Sequence, residues 1–129
     1  MKILVLEDFP AMRRLLSTSL REDGHTVIDS EDGAISYHHE TIETIDLMIA
    51  DIDMPRVNGI EAIITSRRIN PTLQIIAISG GGMNDGDDYL NVCKDLGATE
   101  ILKKPFEPDA LLKMVHRLGA EPPLKKRIA

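Results

Sequence analysis

Four short runs in this chain end an apolar stretch on a group that can do chemistry. Val5-Leu6 runs into Glu7-Asp8, and Leu47-Met48-Ile49-Ala50 runs into Asp51, with Asp53 two residues on. Ala77-Ile78 ends on Ser79, and Ile101-Leu102 ends on Lys103-Lys104-Pro105. Two carboxylates ~4 Å apart at an effective dielectric of 20 repel by about 4 kcal/mol. Glu7, Asp8 and Asp51, once brought together, therefore raise one another's pKa unless a cation joins them. An all-oxygen, carboxylate-lined site with room for water suits Mg²⁺. Lys104 can pair with Asp51 when the site is empty or with an anion when it is filled, and Ser79 offers a hydroxyl donor. A carboxylate nucleophile, a metal, an ammonium and a hydroxyl are the parts needed to hold a transferring phosphoryl group.

These groups converge only if the runs are neighbouring strands of one sheet. Residues 2–6 are apolar and β-branched and read as a first strand. Pro10 opens a helix carried by Met12, Leu15, Leu16, Ser19 and Leu20, and Gly24 ends it. Residues 25–29 read as a second strand, 33–44 as a weakly patterned helix, and 46–51 as a third strand. Asn58-Gly59 is a turn signal before a helix with Ile60, Ile63, Ile64 and Arg67, stopped by Asn70-Pro71. Residues 73–79 give a fourth strand, 85–96 a helix ended by Gly97, and 99–103 a fifth strand. A last helix runs over 108–118 with Gly119 just past it. Strands alternating with helices must lie parallel, with right-handed crossovers and helices on both faces. The expected fold is thus α/β, a doubly wound five-stranded parallel sheet. In such a sheet ligands sit outside the carboxyl ends of the strands, which is where all four runs end.

Composition narrows the function classes. At 129 residues the chain is one domain, expected over 1–119, with 120–129 as a flexible tail. Its net charge of −6 is a poor basis for nonspecific nucleic-acid binding, which depends on neutralising phosphates. The lone Cys93 excludes an internal disulfide and a thiolate cluster. No apolar run approaches the ~18 residues of a membrane span, and Glu7-Asp8 comes too early for a signal peptide. A cytoplasmic location with no membrane contact is expected.

The motifs "VLED", "DIDMPRVNG", "AIS" and "KPF" resemble, in this order, those of the receiver domain of two-component response regulators, over 2–118. The resemblance implies a flavodoxin-like sheet of strand order 2-1-3-4-5. It implies that Asp51 accepts the phosphoryl group and that Asp8 binds Mg²⁺ directly and Glu7 through water. Asp53 would bind the metal by its backbone carbonyl, and Ser79 and Lys104 would hold the phosphoryl oxygens. The proline after the lysine is typically cis in this family. A histidine kinase or histidine phosphotransfer protein would be the donor and a separate protein the target, with no direct DNA binding and no enzymatic turnover beyond self-phosphorylation and slow dephosphorylation. Ile101 departs from the family, where a Tyr or Phe often stands three residues before the lysine. "GGGMNDG" also lengthens the stretch after Ser79, so an ordering of 80–89 anchored by Tyr89 is the expected switch.

Other readings were weighed on the same residues. "DID" is similar to the D-x-D nucleophile motif of haloacid-dehalogenase-type Mg²⁺ phosphatases, which would use Asp51 and Asp53. That family usually carries the motif near the chain start, and its lysine precedes the last acidic motif; Lys104 follows "NDGDD". A pseudo-receiver that only binds partners would not need the full set of acids, hydroxyl and lysine. His38-His39 are adjacent, point to different sides of a helix and read as a solvated face. "NDGDD" lacks calcium-loop spacing, and Lys125-Lys126-Arg127 reads as part of the tail.

Overall fold

The computed structural model describes residues 1–54, 59–80, 91 and 94–120. Five strands form one sheet: β1 (Lys2–Leu6), β2 (Thr26–Ser30), β3 (Leu47–Asp51), β4 (Gln74–Ser79) and β5 (Glu100–Lys103), in the order β2-β1-β3-β4-β5. Every pairing is parallel, with Leu6 beside Ala50 and Ser79 beside Lys103 at the carboxyl ends. The helices are α1 (Pro10–Glu22), a 3₁₀ turn (Gly33–Tyr37), α2 (His39–Thr44), α3 (Gly59–Ile69) and α4 (Pro108–Ala120). Asn91, Lys94 and Asp95 are also helical. The fold and the strand order are those expected.

The central strands are apolar on both faces because both faces are covered. Leu4, Leu6, Met48, Ala50, Ile75 and Ala77 point to one side, where Ile42 of α2 and Ala62 and Ile63 of α3 meet them. Ile3, Val5, Leu47, Ile49, Ile76 and Ile78 point to the other, against Leu16 and Leu20 of α1 and Leu111, Val115 and Leu118 of α4. Alternation along each strand thus makes two cores back to back. Leu15, read as part of the apolar stripe of α1, is exposed.

Several boundaries differ from expectation, each with a local cause. The segment 33–44 is not one helix. Ser36 and Ile42 are both fully buried, yet one α-helix would set positions six apart about 240° around its axis. The chain breaks at His38, whose backbone is extended, and both pieces then turn inward. Asp32 caps the first piece by accepting from the Ala34 N–H at 2.8 Å. His38 and His39 are therefore not neighbours on one helix. Asp46 precedes β3 because its carboxylate accepts the Lys2 N–H at 2.8 Å. His25 and Thr99 likewise precede their strands, and Gly119 lies inside α4, not beyond it. The readings placed on Pro55, Asn58, Gly81-Gly82, "NDGDD", Tyr89, Cys93 and residues 121–129 fall outside the described residues, as does most of the helix expected over 85–96.

Candidate functional site

The sheet register brings the strand ends together. Asp51 closes β3, fully buried; Glu7 follows β1, and its N–H donates to Ser30 O at 3.1 Å. Lys104 follows β5, with its N–H donating to Ser79 O at 2.8 Å, and the Lys104–Pro105 bond is cis. From there its ammonium reaches back over the edge to donate to Asp51 Oδ2 at 2.8 Å and lies 3.6 Å from Glu7 Oε2. Ligand oxygens of Glu7, Asp8 and Asp51 all lie within 4.8 Å of one another. Glu7, Asp8, Asp51 and Lys104 thus stand together at one edge of the sheet.

Burial sets the chemistry. The side chains of Glu7 and Asp51 are 1% and 3% exposed, and that of Lys104 is 25%. Burial, then a hydrogen bond and charge repulsion from Asp51, push Glu7 up to about 8. Burial also works against ionised Asp51, but it is outweighed by hydrogen bonds from Glu7, Lys104 and the Asp53 N–H, which hold Asp51 below the usual carboxylate range. Burial would lower Lys104, but the Asp51 hydrogen bond and charge raise it. At neutral pH without metal, Glu7 thus keeps a proton while Asp51 is an anion paired with an ammonium. Glu7 Oε2 is buried with no hydrogen-bond partner among the described residues, an acceptor in want of a cation or a water.

Ser79 and Asp53 meet in a way the sequence did not suggest. The Asp53 carboxylate accepts from Ser79 Oγ at 3.1 Å and from the Gly80 N–H at 3.0 Å, while its own N–H donates to Asp51 Oδ1 at 2.8 Å. The sequence reading gave Asp53 only a carbonyl. Its spacing of two from Asp51 was the available signal, since that spacing lets an Asp carboxylate take the N–H two residues on. Gly59 was read only as a turn residue. A Cβ there would stand 2.3 Å from Asp51 O and 2.5 Å from Ile52 Cα, so the start of α3 presses directly on the strand end that carries the buried carboxylate. Ile101 lies in β5 beside Ala77, partly buried against the core.

Comparison with known proteins bears on the family and the fold. A family model described as the response regulator receiver domain matches residues 3–116. The response regulator receiver protein CpdR of Brucella abortus is 31% identical over 120 residues, covering 91% of this chain and 95% of that protein. Other curated relatives are longer. The chain spans 17% of a Vibrio cholerae CAI-1 autoinducer sensor kinase/phosphatase at 30% identity, and 31% of a Thermotoga maritima cyclic di-GMP phosphodiesterase at 28%. Among solved structures, chemotaxis protein CheY4 of Vibrio cholerae superposes with a TM-score of 0.79 at 27% identity, covering 91% of this chain and 97% of that one. Response regulator TrrA of Thermotoga maritima, solved in complex with Mg²⁺ and BeF, gives 0.77 at 28%, with the same coverage.

Proposed function

The chain belongs to the response regulator receiver domain family of two-component signalling, and from that premise we propose that Asp51 accepts a phosphoryl group from a phosphohistidine donor. The observation that carries the reading is the Lys104 ammonium 2.8 Å from a buried Asp51 carboxylate held ionised at a strand end, beside Glu7 and Asp8. An ionised Asp51 oxygen attacks phosphorus in line. The new O–P bond forms as the N–P bond of the donor breaks, and the bonding pair returns to the donor's imidazole nitrogen.

Each residue has a task in that transfer. Lys104 leaves its carboxylate oxygen to follow the negative charge onto the phosphoryl oxygens. Ser79 Oγ and the Gly80 N–H donate to the same oxygens once the Asp53 carboxylate gives them up. Three clustered carboxylates and the unpartnered Glu7 Oε2 fit a hard divalent cation. Asp8 and Asp51 would hold Mg²⁺ directly, Glu7 through water, and Asp53 by its carbonyl. When bound, Mg²⁺ supplies the positive charge that lets an anionic donor approach an acidic cleft.

The chain would act once per donor encounter and hydrolyse its phosphate slowly, so it is a signalling module and not a turnover enzyme. Its donor would be a histidine kinase or histidine phosphotransfer protein, and its output a surface read by a separate protein in the cytoplasm. Among the described residues no helix is long and apolar enough to cross a membrane. The test is incubation with acetyl phosphate and Mg²⁺. One phosphoryl mass should be added to the wild type and none to Asp51→Asn or to wild type in EDTA. Unchanged labelling of Asp51→Asn would overturn the assignment.

A further inference from the structure

At the opposite end of the sheet, three elements bring together a second set of ligand atoms. Asp23 caps the C-terminus of α1, His25 stands just before β2, and His116 lies in α4. The Nε2 atoms of both imidazoles face one oxygen, Asp23 Oδ2, at 3.1 Å from His25 and 2.5 Å from His116. All three ligand atoms lie within 4.8 Å of one another. The ring of His25 is 12% exposed, and its Nδ1 lies 3.0 Å from the Met1 nitrogen, which fixes its rotation with Nε2 toward Asp23. His116 is 61% exposed and leaves one side open to solvent.

We propose that Asp23, His25 and His116 bind a divalent transition cation of the zinc class. Two imidazole nitrogens and one carboxylate oxygen are a borderline-soft donor set, which suits zinc, copper or nickel and not Mg²⁺ or Ca²⁺. Zinc bonds of 2.0–2.2 Å in a tetrahedron place ligand atoms ~3.3 Å apart. The Asp23–His25 pair is already within a few tenths of an ångström of that. His116 must back away by less than 1 Å, roughly, to reach the same spacing, and its exposed side chain has the room. The fourth position faces water. The cluster caps the C-terminus of α1 and lies near that of α4, and partial negative charge at helix C-termini favours a cation there. Bound metal would tie the first helix to the last across the edge of the sheet. This site is independent of the acid cluster and of the phosphoryl chemistry.

Titration calorimetry of the full chain with Zn²⁺, with Mg²⁺ in millimolar excess to fill the acid cluster, tests the proposal. One saturable site of micromolar or tighter affinity is expected. His116→Ala and Asp23→Asn should each weaken it by about tenfold or more, while Cys93→Ser and His39→Ala leave it unchanged. His116 is exposed, so its variant should keep its fold, which phosphorylation by acetyl phosphate would verify. Cobalt gives a second readout, a visible absorption band that His116→Ala should abolish. Absence of saturable zinc binding, or binding retained by His116→Ala and lost in Cys93→Ser, would overturn the site.

Discussion

The two poles of the sheet carry charged clusters of similar composition and opposite character. At the carboxyl pole, Glu7 and Asp51 are buried and Lys104 is mostly so. At the amino pole, His116 is open to water and the Asp23 side chain is 25% exposed, against 1% and 3% for the two carboxylates of the other pole. Burial is the difference that matters. A carboxylate at the surface is solvated whatever stands beside it. Inside the fold the same charges must be balanced by a proton, an ammonium or a metal. The carboxyl pole is therefore a place where the charge state decides which hydrogen bonds exist, which suits the phosphoryl transfer proposed for Asp51. Its backbone is also more tightly constrained. Gly59 is locked against Asp51 O, whereas Gly119 at the amino pole meets only the flexible end of Met1, with Cε at 3.4 Å from an added Cβ.

Three substitutions would break or sharpen this contrast. The largest effect is expected from Gly59→Ala. The new methyl would clash with backbone on both Asp51 and Ile52, and neither can move without shifting the strand end. A loss of about 3 kcal/mol or more is expected in urea unfolding, with slower labelling of Asp51 by acetyl phosphate. A change under about 0.5 kcal/mol would mean that the close approach of α3 does not position the site.

A smaller, pH-dependent effect is expected from Glu7→Gln. Glu7 titrates near its ordinary 4.5 when unfolded and at about 8 in the folded, metal-free chain. Between those values the folded state binds the extra proton, so its contribution to stability is present below 4.5 and is lost as pH rises to about 8. Glutamine removes that slope. In EDTA the variant should match wild type near about pH 5 and exceed it by about 2 kcal/mol near about pH 9. Mg²⁺ should restore the wild type there and leave the variant unchanged. Parallel pH profiles for the two proteins would show that Glu7 is not the proton holder. The smallest effect is expected at the other pole. Gly119→Ala adds helix propensity inside α4 and meets only the side chain of Met1 at ordinary contact distance, so a gain of about 0.5 kcal/mol is expected in thermal unfolding. A loss above about 1 kcal/mol would show that the amino pole is as constrained as the acid one.

Much of this molecule was legible in its order of residues. Apolar runs ending on Glu7-Asp8, Asp51, Ser79 and Lys104 determined the strands and the gathering of these residues at one edge, because strands of a parallel sheet must deliver their carboxyl ends there. Periodicity gave most of the buried face of α1, with Leu16 and Leu20 inside and Leu15 the exception, because a helix on a sheet must bury one stripe. What periodicity could not determine was decided in three dimensions. The break at His38, where the backbone is extended, leaves Ser36 and Ile42 both buried, which one continuous helix would not do. The carboxylate of Asp53 holds Ser79 and Gly80 because β3 and β4 are neighbours, a fact about pairing and not about spacing. Gly59 is required by a helix pressed on a strand, a contact its neighbours in sequence do not announce. His116 is 93 residues from Asp23 in the chain, and it joins Asp23 and His25 only through the packing of the last helix beside the first. Local sequence determines what each segment prefers, through sterics and burial. Contacts between distant segments depend on how the sheet stacks its helices, and only the tertiary structure decides those.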